Sequence, residues 1–270
     1  MLKTRVITAI VITLFGLSAV FLMSPIAFAA LGAAVLLALG GWEGARLAGF
    51  QGTAARIGFA AALLVTGSAI YLGFEPNQIT WYLLPGCLLW LVFMVWLTSP
   101  QLGNSDTVGW RLTKLAVIAI ILLSAWLALS WLQSGSPWLV LMLLVVIAAA
   151  DVGAYFSGRS IGGAKLAPRI SPGKTRSGAV GGLICAMVMT ALAATVIPDS
   201  PFTPMFAGIL ALGLALLSIG GDLFISLLKR QYQLKDTSNL LPGHGGILDR
   251  FDSLGAALPF FALAVALWGL

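Results

Sequence analysis

The chain has 270 residues, of which 60% are hydrophobic and only 9% charged. A soluble domain carries roughly a quarter charged residues. Too little polar surface exists here to cover a soluble core, so the fold class is an all-α, polytopic integral membrane protein. Lysine and arginine outnumber aspartate and glutamate 15 to 9; in a lipid-embedded chain this excess points to loop topology, and no nucleic-acid partner is expected.

In chain order, apolar runs of spanning length fall near 6–23, 25–41, 57–74, 79–98, 115–132, 137–157, 177–197, 202–228 and 253–270. They predict about nine transmembrane helices. The first follows Lys3 and Arg5 and precedes Ala27-Phe28-Ala29, the flanks of a cleavable signal peptide. The run from Val6 to Met23 is long for that role, and an uncleaved helix is expected. Only Ser24-Pro25 separates it from the second run, which leaves a re-entrant hairpin open. Cys87 and Cys185 lie in apolar runs without metal-ligand spacing and read as small buried hydrophobes.

With the N-terminus in the cytoplasm, nine alternating helices put segments 1–5, 42–56, 99–114, 158–176 and 229–252 on that side. All 15 basic residues fall within them, and the opposite side receives only Glu75 and Asp199. This is the positive-inside pattern, and it puts the C-terminus outside. Trp42, Trp81, Trp110, Trp131 and Trp138 fall near segment ends, as an aromatic belt requires. The expected location is a bacterial inner (cell) membrane. Chemistry on polar substrates is expected at the cytoplasmic face, where the two long polar loops lie. No composition break divides the chain, so residues 1–270 read as one transmembrane catalytic domain, its active site formed by segments 151–178 and 222–253.

Two acids sit inside apolar runs, Asp151 and Asp222. At the centre of a span a carboxylate costs about 2.5–3.5 kcal/mol. Helical spacing puts Asp222, Ser226 and Lys229 on one face, and Asp151, Tyr155 and Arg159 on another. Two polar stripes at one depth suggest a cavity open to the cytoplasm. The plainer alternative is an Asp–Arg or Asp–Lys pair that only fixes packing.

Residues 158–178 read GRSIGGAKLAPRISPGKTRSG. Gly173-Lys174-Thr175 looks like the end of a P-loop, but Pro168 stands where that motif needs glycine, and no strand precedes it. A Walker A site is therefore not expected. Ser171, Lys174, Thr175 and Arg176 nevertheless precede a helix start, where free N–H groups and the helix dipole favour an anion. A solvated basic loop beside anionic headgroups is the alternative.

Residues 226–253, SLLKRQYQLKDTSNLLPGHGGILDRFDS, carry Lys229, Arg230, Lys235, Asp236, His244, Asp249, Arg250 and Asp252. Asp249 and Asp252 share a face if the last helix starts early; otherwise Asp252 or Ser253 serves as its N-cap. His244, between glycines, is as suited to holding the turn as to touching substrate. Carboxylates from two segments beside lysine and arginine suit a divalent cation holding phosphates. Basic residues and Mg2+ together neutralise charge in phosphoryl or nucleotidyl transfer.

The run Ser226-x-x-Lys229-Arg230, Lys235-Asp236-x-Ser238 and Pro242-x-His244-Gly245-Gly246-x-x-Asp249-Arg250-x-Asp252 resembles the signature of the phosphatidate cytidylyltransferases, or CDP-diacylglycerol synthases. Asp151-x-x-Ala154-Tyr155-Phe156-x-Gly158-Arg159 and Ser171-Pro172-x-Lys174-Thr175 look like the same family. The resemblance implies a membrane enzyme that converts CTP and phosphatidate to CDP-diacylglycerol and pyrophosphate. It implies dependence on Mg2+, with K+ beside it, and metal-binding roles for Asp222 and Asp249. Lys229 and Arg250 are expected to act with these acids. Substrate contacts are expected from Ser171, Lys174, Thr175, Arg176, Ser226, Arg230, Lys235, Asp236, His244, Asp252, Asp151, Tyr155 and Arg159. The resemblance alone suggests a homodimer. Attack by a phosphate monoester, already anionic near pH 7, needs little acid–base help, so His244 is not expected to be a general base.

The rival from another class is an ion-coupled transporter using Asp151 and Asp222. Against it, the polar residues cluster on one face and the short outside loops offer no second gate. A different lipid-phosphate or polyprenol enzyme is a further rival. The DG…AR…G…D…D pattern associated with CDP-alcohol phosphotransferases is absent.

Overall fold

The computed structural model describes residues 2–198 and 200–268, with side chains from Val6 onward. Among these residues the chain forms nine helices: α1 (Leu2–Leu22), α2 (Pro25–Leu47), α3 (Thr53–Gly73), α4 (Ile79–Trp96), α5 (Val108–Gly135), α6 (Pro137–Ser160), α7 (Arg176–Val196), α8 (Pro204–Gln231) and α9 (Leu248–Trp268). Among the described residues eight of them are long and apolar enough to cross a membrane, and the described side chains of α1 form a further apolar stretch, Val6–Leu22. Asp199 and the side chains of Lys3 and Arg5, used above to assign sides, lie outside the described residues.

The helix starts follow local chemistry. The hydroxyls of Ser24, Thr107, Thr175 and Thr203 accept N–H bonds from the residue three positions on. Pro25, Pro137 and Pro204 stand at helix starts, where a missing N–H costs nothing. Ser24 thus separates α1 from α2, and Gln133 of α5 fixes that junction by donating to the carbonyls of Val20 and Met23, each at 3.2 Å. The first two runs thus form two helices, broken at Ser24.

Several ends differ from the sequence expectation, and the differences matter. α2 continues to Leu47 through a π-helical middle, Ala33–Gly40, so Glu43 and Arg46 are helical and not in a loop. α5 begins at Val108, which makes Lys114 a helical residue that is 1% exposed. α9 begins at Leu248, which brings Asp249 into its first turn. Capping and tertiary contacts extend helices beyond their apolar runs; apolar length alone cannot reveal this. The aromatic belt is also only partial: Trp81 faces outward, whereas Trp110 packs inward on Trp96 with ring centres 5.7 Å apart.

The core runs along α5 and α8. Phe93 of α4 stacks on Phe224 of α8 at 4.3 Å, and Trp90 and Trp96 meet Phe224 edge-on. Outward-facing positions remain apolar, among them Val11, Leu14, Phe15, Leu72 and Val95, as a surface bathed in acyl chains requires. Cys87 is buried, Cys185 half-buried, and both are free thiols.

Small residues let α6 and α7 touch backbone to backbone. A Cβ on Gly182 would lie 2.7 Å from the Ala150 carbonyl oxygen, and one on Gly181 would overlap the Ser157 side chain. Close approach through glycine is a general way to pack helices that share a lipid solvent. Here it holds Asp151 on α6 near the segment leading into α7. Gly181→Ala is expected to destabilise the fold by about 1–3 kcal/mol, read as a lower melting temperature in detergent. Gly213→Ala on α8, where an added Cβ would meet nothing within 4 Å, is expected to be neutral or slightly stabilising.

The segment between α6 and α7, expected to be a loop, forms a small antiparallel hairpin. β1 (Lys165–Ala167) pairs with β2 (Ser171–Thr175), Lys165 opposite Thr175 and Ala167 opposite Ser171. It is too short, and too rich in glycine and proline, for an alternating pattern to be visible in sequence. Ile170 at its tip is 4% exposed and anchors it to the bundle. Four connections then meet at one end of the molecule. Arg46 donates to the Thr237 carbonyl at 3.0 Å, Tyr232 to Ala48 at 3.2 Å, Gln231 to Leu102 at 2.9 Å and Arg230 to Ile170 at 3.4 Å.

Candidate active site

At that end the two polar stripes meet. On α8, Asp222 accepts a hydrogen bond from Ser226, one turn on, at 3.2 Å. Its other oxygen pairs with the Lys174 ammonium at 2.5 Å, their side chains 30% and 29% exposed. Lys174 reaches across because β2 delivers it immediately before α7, where the Thr175 hydroxyl caps the helix by accepting from Gly178 N–H at 3.1 Å. Asp222 and Lys174 are both charged neighbours of Asp151 and of Asp252. A cavity of about 430 Å3 opens beside this pair, lined by Asp151, Tyr155, Arg159, Lys174 and Ser253 and by the apolar Ala150, Ala154, Leu166, Ala179 and Ile219. On its rim Arg159 donates to the Tyr155 hydroxyl at 2.8 Å, as their i, i+4 spacing predicts.

Lys229, two turns beyond Asp222, belongs to a second and drier node. Its ammonium donates to Asp249 Oδ1 at 2.6 Å, with side chains 12% and 4% exposed. Asp249 Oδ2 accepts from the backbone N–H groups of Thr237 and Gly246, at 2.7 and 2.9 Å, and lies 2.9 Å from the Thr237 hydroxyl. Gly246 must be glycine: a Cβ there would overlap both the Thr237 hydroxyl and the Glu43 carboxylate. The connection between α8 and α9 then curves around a polar cavity of about 460 Å3, lined by Lys235, Asp236, Asn239, His244 and Arg250 among others. Gly243 and Gly245 take φ of +77° and +84° in this curve, a conformation that side chains disfavour.

His244 holds the turn, as one of the two sequence readings expects. Its backbone N–H closes the turn on the Leu241 carbonyl at 2.9 Å, and its carbonyl accepts from Arg250 at 3.1 Å. Its ring Nδ1 is buried without a hydrogen-bond partner at the cavity wall. The expectation that Asp252 or Ser253 caps α9 does not hold. Glu43, from α2, accepts the N–H groups of Ile247 and Leu248 instead, both at 2.9 Å. Asp252 accepts from its own neighbour, Ser253 N–H, at 2.7 Å.

The sequence-expected residues divide into groups. Asp151, Tyr155, Arg159, Lys174 and Thr175 line the first cavity; Lys235, Asp236, His244 and Arg250 line the second. Asp222, Ser226, Lys229, Asp249 and Asp252 line neither cavity; Asp222 pairs with Ser226 and Lys174, and Lys229 with Asp249. Ser171, Arg176 and Arg230 line neither cavity: Ser171 is taken up by strand pairing, Arg176 is exposed, and Arg230 is turned onto the Ile170 carbonyl. Thr237 was missed from sequence, and so was Glu43. Its only signal was an acid, flanked by tryptophan and glycine, at the end of an apolar run.

No group of three or more His, Cys, Asp or Glu placed to hold a metal occurs among the described residues. Mg2+, however, commonly takes only one or two carboxylates, with phosphate and water supplying the rest. Asp222 fits that pattern: it is half-buried beside a cavity, with further acids near it. Asp249 fits once Lys229 yields Oδ1. In this structure each of the two carboxylates is paired with a lysine ammonium.

A family model described as the cytidylyltransferase family matches residues 3–268. A phosphatidate cytidylyltransferase of Pseudomonas aeruginosa is 41% identical over 100% of this chain and 99% of its own. One from Haemophilus influenzae is 36% identical over 97% of this chain and 98% of its own. One from Bacillus subtilis is 44% identical over 46% of each chain.

Proposed function

We propose that this chain, which belongs to the cytidylyltransferase family, transfers the cytidylyl group of CTP to phosphatidate, forming CDP-diacylglycerol and releasing pyrophosphate. The observation that carries the reading is likeness along the full length to relatives of that name. The two cavities, one with a largely apolar wall and one polar, support it. No comparison favours the ion-coupled transporter.

A phosphate oxygen of phosphatidate attacks the α-phosphorus of CTP. The bond from that phosphorus to the bridging oxygen breaks, and pyrophosphate carries the charge away. The cavity with the apolar wall suits the phosphatidate headgroup, whose acyl chains must stay in the bilayer. The polar cavity suits CTP, with Lys235 and Arg250 facing its phosphates and Asp236 and His244 beside them. Lys174 and Lys229 neutralise charge as it moves toward the leaving group. Ser226 orients Asp222, and Thr237 and Gly246 orient Asp249. Asp222 and Asp249 would hold Mg2+, which supplies charge neutralisation on phosphate oxygens. The basic loops, and the use of CTP, favour the cytoplasmic face of a bacterial inner membrane for this end.

The test is direct. The full chain, purified in detergent, receives phosphatidate, labelled CTP and Mg2+, and labelled lipid is expected to form and to cease on chelation. If no labelled lipid appears across lipid and metal conditions, the reading fails. Proton and sodium flux in vesicles then becomes the next measurement.

A further inference from the structure

We propose that Glu43 is a positioning residue for this transfer, holding the Thr237–Leu248 connection and, through the Thr237 hydroxyl, Asp249. The proposal rests on the cytidylyl-transfer reading for its catalytic half and on geometry alone for its positioning half.

Glu43 is 0% exposed. A carboxylate in that position is costly unless its lone pairs are met, and here they are met by four donors. Oε1 accepts from the Ser238 hydroxyl at 2.5 Å and from Ile247 N–H at 2.9 Å. Oε2 accepts from the Thr237 hydroxyl at 2.8 Å and from Leu248 N–H at 2.9 Å. The donors come from both ends of one connection, Thr237 and Ser238 where it leaves Asp236, Ile247 and Leu248 where it enters α9. One side chain therefore cinches the base of the loop whose middle lines the polar cavity. Arg46, on the same helix, adds a second tie at the Thr237 carbonyl. Glu43 itself lines neither cavity, so its effect on substrate is transmitted.

The transmission runs through Thr237. Its hydroxyl lies 2.8 Å from Glu43 Oε2 and 2.9 Å from Asp249 Oδ2. A hydroxyl carries one proton, which the two carboxyl groups share. Moving Glu43 therefore frees the connection that carries Thr237 and Gly246, whose N–H groups orient Asp249. An amide cannot substitute for this carboxylate. Each oxygen accepts from a backbone N–H, so in Glu43→Gln either orientation of the amide would press its NH2 against Ile247 N–H or Leu248 N–H.

The test uses the full chain in detergent and has two readouts. In Glu43→Gln, backbone amides across 237–248 are expected to exchange at least about tenfold faster while amides in α5 and α8 are unchanged. Turnover with phosphatidate, CTP and Mg2+ is expected to fall roughly 100-fold, the scale of a small misplacement of reacting groups. Thr237→Val, which removes the shared hydroxyl, is expected to lose activity in the same way. Thr237→Ser, which keeps it, is expected to restore most of what valine loses. A residue that merely stabilised the fold would lower the melting temperature and leave the folded fraction at wild-type kcat, with serine and valine alike at position 237. Unchanged exchange in Glu43→Gln, or equal turnover in the serine and valine variants, overturns the proposal. Should Glu43→Gln fail to accumulate, the Thr237 pair decides. A wild-type protein inactive in this assay removes the transfer reading, while the exchange result still decides the positioning.

Discussion

Asp249→Ala is expected to abolish measurable turnover, a loss of at least about 1000-fold, and to destabilise the fold by about 3–5 kcal/mol. The two effects have one origin. Lys229 is paired to Asp249 with side chains 12% and 4% exposed, so removing the acid leaves a largely buried ammonium without its counter-charge. Thr237 N–H and Gly246 N–H lose their acceptor in the same step. Asp249→Asn does not rescue. Its amide must turn NH2 either toward the Lys229 ammonium or toward the two N–H groups, and both are donors. Turnover in detergent and thermal unfolding, measured together, check this: a folded Asp249→Asn with wild-type turnover would show that Asp249 neither reacts nor orients anything that does.

Most of the architecture could be read in the sequence because lipid makes the pattern simple. A spanning helix needs a long apolar run, and every such run predicted a helix in the right order. The two polar stripes were visible as well, since i, i+4 spacing survives whatever surrounds it; Asp222–Ser226 and Tyr155–Arg159 are both bonded pairs. What the sequence withheld was partnership. Lys174 sits between Gly173 and Thr175 with nothing local to say that it reaches Asp222, far along the chain on α8. Glu43 was hidden because a helix end is invisible to an apolar-length rule. The end of α2 is fastened through Glu43 from the far side of the chain, by Thr237, Ser238, Ile247 and Leu248. The β1–β2 hairpin was missed because it is short and broken by glycine and proline, and Ile170 at its tip is buried by residues distant in sequence.

Asp222 poses the sharper test, because here activity and stability should part. The Asp222–Lys174 pair is short, but both side chains are close to 30% exposed. Solvent screening at that exposure limits its contribution to the fold to about 1 kcal/mol or less. Asp222→Asn and Lys174→Ala are therefore expected to melt near the wild-type temperature and yet lose roughly 100- to 1000-fold in turnover. The two variants should differ in their response to Mg2+. Asp222→Asn removes a ligand oxygen, so the Mg2+ concentration at half-maximal rate is expected to rise. Lys174→Ala removes the ammonium that occupies the same carboxylate, so that concentration is expected to fall even as the maximal rate drops. Rate against Mg2+ concentration for wild type and both variants is the measurement. Parallel curves for all three would mean that Asp222 binds no cation and that its pairing with Lys174 serves only to hold β2 against α8. Opposite shifts would mean that Lys174 keeps the carboxylate charge-balanced until cation and nucleotide arrive together, and then turns to phosphate.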